Sequence, residues 1–199
     1  MTSPPSFNKP VATGTSTSES FAPLAGKYMH TLVLGTMPGQ KSLHLQQYYA
    51  HQRNSLWPIL CAIVKNEKPS YTVHKALNYQ QRCDLITSAG YALWDVLAQC
   101  ERPGSLDGNI VRQSEIPNAV PQLLSRHPEL RIIACNGRTA ETLFKRHILP
   151  QLSEPIPAII ALPSTSPAMA SLSLHDKHER WRNALTLGPA QSNCTDASS

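Results

Sequence analysis

The sequence contains no run of about 18 apolar residues, so no membrane-spanning helix and no membrane partner are expected. Its N-terminus lacks the basic start and apolar block of a secretory signal, which makes a cytoplasmic protein the expectation. Five cysteines are present, Cys61, Cys83, Cys100, Cys135 and Cys194, an odd number with no C-x-x-C pair. That pattern argues against a disulfide framework, a zinc finger and an iron–sulfur cluster, and no metal is expected. Cys61 and Cys135 stand in apolar runs and read as small core hydrophobes. No G-x-S-x-G elbow, P-loop or G-x-G-x-x-G occurs, so a small-molecule α/β hydrolase, a P-loop nucleotidase and a dinucleotide-binding domain all lack their signatures.

What is present is a chain of 199 residues, 41% hydrophobic, enough for one domain with a real core. The formal net charge of +5 fits a polyanionic partner. Residues 1–27 and 189–199 are rich in small polar residues and proline, poor in large apolar groups, and are expected as disordered tails. Residues 28–188 are expected to form the domain.

Within it, apolar runs alternate with helical periodicity. Strands are expected at His30–Leu34, Tyr91–Trp94, Arg131–Cys135 and Ala158–Leu162. Helices are expected at Asn54–Lys65, Tyr79–Ser88, Pro117–Arg126, Arg138–His147 and Ser173–Leu187, the last capped by Ser173 with Asp176 and packed through Trp181, Ala184 and Leu185. Strands separated by helices imply an α/β fold whose parallel sheet carries helices on both faces. Ligands of such sheets bind beyond the carboxyl ends of the strands.

Four segments therefore carry the chemistry. Gly35-Thr36-Met37-Pro38-Gly39 is a tight turn that can expose backbone N–H groups. Gln46 to Trp57 is dense in amides, aromatics and His51, side chains able to stack on a base or orient a water. Asn136-Gly137 offers an amide donor and acceptor side by side, which complements the N–H and C=O of hypoxanthine or uracil. Pro163-Ser164-Thr165-Ser166-Pro167 is stiff and hydroxyl-rich, suited to clamping a phosphate strand. Each also has a plain structural reading as a turn, cap or capped loop; their convergence at strand ends gives them weight.

Leu34 to Gly39, Gln47 to Trp57, Leu93 to Leu97 with Cys100-Glu101-Arg102 and Gly104-Ser105-Leu106-Asp107, Asn136-Gly137, and Leu162 to Ala168 together resemble the hypoxanthine (deoxyinosine) branch of the uracil-DNA glycosylase superfamily. The resemblance covers roughly residues 30–187. It implies a three-layer α/β/α sandwich around a short, mostly parallel four-stranded sheet, DNA as substrate, and hydrolysis of an N-glycosidic bond without cofactor. Many superfamily members carry Asp or Asn where Met37 stands, and this branch is similar in lacking that group. By motif position, Asn54 and Asn136, with His51 assisting, are the expected catalytic residues. Gly35, Thr36, Met37, Tyr48, Tyr49 and Asn136 are expected to hold the base, and either tyrosine can wall the pocket. Pro38, Gly39, Lys41, Ser42, Arg53, Pro163, Ser164, Thr165 and Ser166 are expected to contact DNA. The expectation is a nucleoid-associated monomer acting on a deaminated base in double- or single-stranded DNA. Two other readings stand beside it: a mismatch-type uracil-DNA glycosylase on the same fold, and a catalytically silent nucleic-acid-binding module.

Overall fold

The computed structural model describes residues 17–187. In chain order they form β1 (Thr17–Glu19), β2 (Thr31–Gly35), α1 (Gln40–Leu45), α2 (Leu56–Lys65), α3 (Val73–Ala76), α4 (Tyr79–Ser88), β3 (Tyr91–Asp95), β4 (Leu97–Glu101), β5 (Ile116–Pro117), α5 (Val120–Arg126), β6 (Ile132–Asn136), α6 (Arg138–Leu143), β7 (Ala158–Leu162) and α7 (Leu174–Leu187). The main sheet has the order β3-β2-β6-β7, and every neighbouring pair is parallel. All residues of β2, β3 and β6 are buried, which explains why these strands read as continuous apolar runs.

The topology follows from the direction of two crossovers. From β2 the chain passes through α1–α4 and returns on one side of β2 as β3; from β6 it passes through α6 and returns on the opposite side as β7. Right-handed crossovers stepping in opposite directions place their helices on opposite faces. Accordingly α2 packs with α4 and α7, while α6 packs on β6 and β7. This is the expected three-layer α/β/α sandwich, with a main sheet that is wholly parallel. Among the described residues no helix is long and apolar enough to cross a membrane.

Local signals explain most element ends. α4 begins at a reciprocal cap: Asn78 Oδ1 accepts from the Gln81 N–H at 2.9 Å, and Gln81 Oε1 accepts from the Asn78 N–H at 2.8 Å. Ser173 and Asp176 form the cap read for α7, the Ser173 hydroxyl accepting from the Asp176 N–H at 3.1 Å and donating to its carboxylate at 2.6 Å. Helix α2 starts at Leu56 rather than Asn54, because Asn54 Oδ1 accepts the Leu56 N–H at 2.9 Å and holds residues 54–56 in a turn. The helix expected from Pro117 begins only at Val120, since Ile116–Pro117 pairs with β4.

The N-terminal segment corrects an expectation. A tail was expected through residue 27, yet β1 pairs antiparallel with β4 in a second, three-stranded sheet of order β1-β4-β5. Leu24 bridges to Leu93, and the Phe21 carbonyl accepts from Trp94 Nε1 at 3.0 Å. Phe21 also meets the Tyr48 ring edge-on at 5.2 Å, a pairing worth about 0.5–1.5 kcal/mol beyond burial. A few apolar anchors in a polar stretch suffice to tie residues 17–27 to the domain. The tails expected over residues 1–16 and 189–199 lie outside the described residues, as does Cys194; the other cysteines are buried and free.

Candidate active site

The strand order reverses between β2 and β6, and a cavity of about 720 Å³ opens beyond the carboxyl ends of these strands. That size suits a base with its sugar. Residues 35–42 and 164–169 line two of its walls, residues 104–108 with Arg102 line a third, and Tyr48, Tyr49, His51 and Asn54 a fourth. Asp95 and Asn136, the last residues of β3 and β6, contribute to its floor.

Gly35 determines what the floor can be. It lies opposite Asp95 in the parallel register. A Cβ at Gly35 would stand 2.5 Å from Asp95 Oδ1 and 2.7 Å from the Tyr49 hydroxyl, so a missing side chain makes room for both polar groups. Asp95 is 2% exposed, and its Oδ2 accepts from the Ser20 hydroxyl at 2.8 Å. Burial is the main force on this carboxyl and pushes it up to about 7; the Ser20 hydrogen bond opposes the rise, the Asp107 carboxylate adds to it, and the Arg102 guanidinium opposes it. Burial, then the nearby Asp95, likewise raises the Tyr49 phenol, so its hydroxyl stays protonated. Tyr49 holds a left-handed backbone conformation (φ 52°), rare for an aromatic residue and characteristic of functional turns.

Arg102 braces the glycine turn from below. It is 1% exposed; one terminal nitrogen donates to the Pro38 carbonyl at 2.6 Å and the other to Asp107 Oδ1 at 3.1 Å. The turn cannot drift without breaking a charge-assisted bond. Among the described residues no acceptor meets the N–H of Thr36 or Met37, although both residues are buried. Both residues line the cavity, where a ligand can take up these N–H groups.

Asn136 is locked. Its Nδ2 donates to Thr165 Oγ1 at 2.8 Å and to the Tyr49 hydroxyl at 3.2 Å, while its Oδ1 accepts the Thr165 N–H at 2.9 Å. Both amide protons are thus committed within the protein. Gly137, at φ 98°, lets the 163–167 loop come this close: a Cβ there would stand 2.8 Å from Ser164 Cβ. Asn54 differs. Its Oδ1 serves the Leu56 N–H, and among the described residues no acceptor meets its Nδ2, so the amide N–H₂ is available at the cavity wall. His51 accepts the Arg53 N–H on Nδ1 at 3.1 Å, so the neutral ring carries its proton on Nε2. Among the described residues no three His, Cys, Asp or Glu side chains gather to hold a metal.

A family model for the uracil DNA glycosylase superfamily matches residues 29–185. The chain belongs to this superfamily. Among curated proteins, it is 31% identical over 120 residues to a hypoxanthine DNA glycosylase of Methanosarcina barkeri, covering 60% of this chain and 71% of that one. It is 32% identical over 110 residues to a hypoxanthine DNA glycosylase of Methanosarcina acetivorans, covering 55% of this chain and 64% of the relative. Among solved structures, the solution structure of a candidate uracil DNA glycosylase from M. acetivorans superposes with a TM-score of 0.67 at 24% identity, covering 84% of this chain and 95% of that one, a likeness of fold.

Within this glycosylase-type fold the expected residues divide. Gly35, Thr36, Met37, Gly39, Lys41, Tyr49, His51, Asn54, Asn136, Ser164 and Ser166 all border the one cavity. Tyr48 borders it too, but its hydroxyl donates to the Ala22 carbonyl at 3.1 Å and its ring belongs to the core, so Tyr49 presents the free phenol. Several residues expected at DNA are enclosed. They too line the cavity, but Pro38 is buried against Arg102, Ser42 accepts the Ala50 N–H at 3.1 Å, and Thr165 is fully buried against Asn136. Pro163 lies outside the cavity lining, its carbonyl accepting from Trp181 Nε1 at 3.0 Å. Arg53 borders a second, smaller groove with Tyr71, Met169 and Lys177. Asp95, Arg102 and Asp107 stand in the blocks that carry the resemblance but had no role read for them, and Ser20 was not singled out. An aspartate closing an otherwise apolar strand was the available signal, since a buried carboxylate is costly unless used or paired.

Proposed function

We propose that this member of the uracil-DNA glycosylase superfamily is a monofunctional DNA glycosylase that hydrolyses the N-glycosidic bond of hypoxanthine, acting on DNA as a monomer. The reading is carried by the cavity at the strand reversal, which presents the unpaired N–H groups of Thr36 and Met37 and the Tyr49 phenol where a flipped base would enter. The curated relatives named hypoxanthine DNA glycosylases support the choice of base.

The target nucleotide leaves the stack to enter the cavity, at least cost where deamination has weakened its pairing. Prepositioned N–H donors stabilise negative charge as it develops on the departing base. The Asn54 amide, in the cavity wall, holds a water for the sugar carbon. An amide is a weak base and Met37 supplies none, so bond breaking runs ahead of water attack. His51, with its proton on Nε2, serves as a donor to that water or to a phosphate. Asn136 acts through others: it fixes Thr165, and with it the 163–167 loop, and it orients the Tyr49 hydroxyl. Exposed Lys41 at the rim supplies a phosphate contact.

The test is excision from duplexes carrying one inosine, uracil or xanthine, read as alkali-labile strand breaks. Release of hypoxanthine is expected. Release of uracil alone would make the protein a uracil-DNA glycosylase, and DNA binding without any abasic product would make it a silent binding module.

A further inference from the structure

The catalytic assignments above leave one buried group unused. Asp95 sits on the cavity floor, and its Oδ1 receives no donor from any described residue, while Oδ2 is held by Ser20. The Tyr49 hydroxyl accepts from Asn136, and its own proton meets no acceptor among the described residues. Both groups occupy the space that Gly35 leaves empty. They come from segments 46 residues apart in sequence yet point at one spot.

Resting on the hypoxanthine reading, we propose that Asp95 and Tyr49 form a proton-donating pair that engages the O6/N7 edge of the deaminated purine, with Asp95 protonating N7 as the base departs. The chemistry follows from that edge. With oxygen at C6, a purine presents two adjacent acceptors, whereas adenine presents an amino donor beside N7. Two donors fit the first pattern and oppose the second, so the pair discriminates by leaving adenine's amino group facing a donor.

The step balances without a further reactant. The C1′–N9 bond breaks with its electron pair going to the base. The carboxyl proton of Asp95 passes to N7, and hypoxanthine leaves neutral. Water oxygen bonds to C1′ and releases one proton to solvent, and the Asp95 carboxylate regains a proton from solvent after product departs. An ionised carboxylate at this position would repel the anion forming on the base.

The titratable and charged groups that face Asp95 are Tyr48 and Tyr49 from the 48–54 wall and Arg102 and Asp107 from the 102–108 wall; Ser20 next to β1 is neutral. Arg102 is engaged with Pro38 and Asp107, and no lysine or histidine bears on the carboxyl. Burial therefore dominates and raises the carboxyl to about 7, so the donor form is well populated at neutral pH.

Single-turnover excision of hypoxanthine from an inosine duplex, followed from about pH 5.5 to 9, tests the pair on the wild-type chain, Asp95→Asn and Tyr49→Phe. The wild-type rate should be level in acid and fall about tenfold per pH unit above the carboxyl's pKa. Asp95→Asn keeps a hydrogen-bond donor but has no proton to give; it should be slower by roughly 100-fold and flat across that range. Tyr49→Phe should keep the wild-type pH profile at a reduced rate and lose discrimination against adenine. A wild-type rate that rises with pH through 7 would overturn the proposal, as would an Asp95→Asn rate and profile matching the wild type. If Asp95→Asn fails to fold, the wild-type profile and Tyr49→Phe still decide. No hypoxanthine release by the wild type at any pH would instead sink the glycosylase reading itself.

Discussion

Gly35→Ala is the smallest change that probes the floor of the site. The added methyl would lie 2.5 Å from Asp95 Oδ1 and 2.7 Å from the Tyr49 hydroxyl, where ordinary contact begins near 3.4 Å. Asp95 must therefore retreat by about 0.9 Å and Tyr49 by about 0.7 Å. Neither retreats without cost: Asp95 is tied to Ser20, and Tyr49 is tied to Asn136 and held in a left-handed turn. Overpacking of this kind costs about 1–3 kcal/mol. Replacing glycine within a strand returns about 0.5–1 kcal/mol, leaving a net loss of at most roughly 2.5 kcal/mol. At about 2–4 °C per kcal/mol, Tm should fall by less than roughly 10 °C. Excision should suffer far more, because an ångström of misplacement at reacting groups costs about 100-fold.

The assay pairs thermal unfolding by circular dichroism with single-turnover release of hypoxanthine from an inosine duplex. Excision by Gly35→Ala within about threefold of wild type, with the chain folded, would refute the claim that Gly35 exists to seat Asp95 and Tyr49.

Asn136→Ala strands the buried Thr165 N–H and removes two donor bonds; unfolding should cost about 2–3 kcal/mol less, with kcat falling more than KM changes. Arg102→Met frees the Pro38 carbonyl and should lower both urea midpoint and excision rate, whereas an unchanged rate would show that the glycine turn needs no brace. Lys41→Ala should reduce the salt slope of DNA binding by about 1 while leaving Tm unchanged, and an unaltered slope would remove Lys41 from the interface. Because burial raises the Asp95 carboxyl in the folded chain, its contribution to stability is fully present below the ordinary carboxylate pKa and is lost as pH rises through about 7. Asp95→Asn should therefore lose less stability than wild type between about pH 5 and 8 in calorimetry; parallel curves would place the group outside the titrating set.

The sheet and its helices were legible because their signals are local. Apolar runs such as Thr31–Leu34 and Ile132–Cys135 end in residues that stop a strand, and the cap at Ser173 is written in a side chain three residues on. Strand ends converge in any such sheet, so residues 35–39, Asn54 and Asn136 could be named before their geometry was known. The tie of residues 17–27 to the domain was not legible, since it depends on Leu24 and Phe21 finding Leu93, Trp94 and Tyr48 across the fold. Asn136 could equally read a base or clamp a loop, and only its distances to Thr165 and Tyr49 separate the two.

Asp95, placed at a strand end within a recognised block, received no role for a more instructive reason. With Met37 in the glycine turn, attention falls on a missing acid and shifts to Asn54. Register supplies what the turn lacks: Gly35 lies opposite Asp95, and a residue without a side chain on one strand lets a carboxyl on the next occupy the same space. Position 37 and residue 95 both border the cavity, so an acid placed at either would bear on the same ligand. Two together would repel, pushing at least one carboxyl further up and weakening the division of labour between a donor for the base and a holder for the water. An apolar Met37 keeps that division clean. On this reasoning Met37→Asp should not improve excision: the extra negative charge should move the wild-type pH break upward and leave the rate in acid no higher. A faster enzyme with an unmoved break would show that the two positions do not share one electrostatic site.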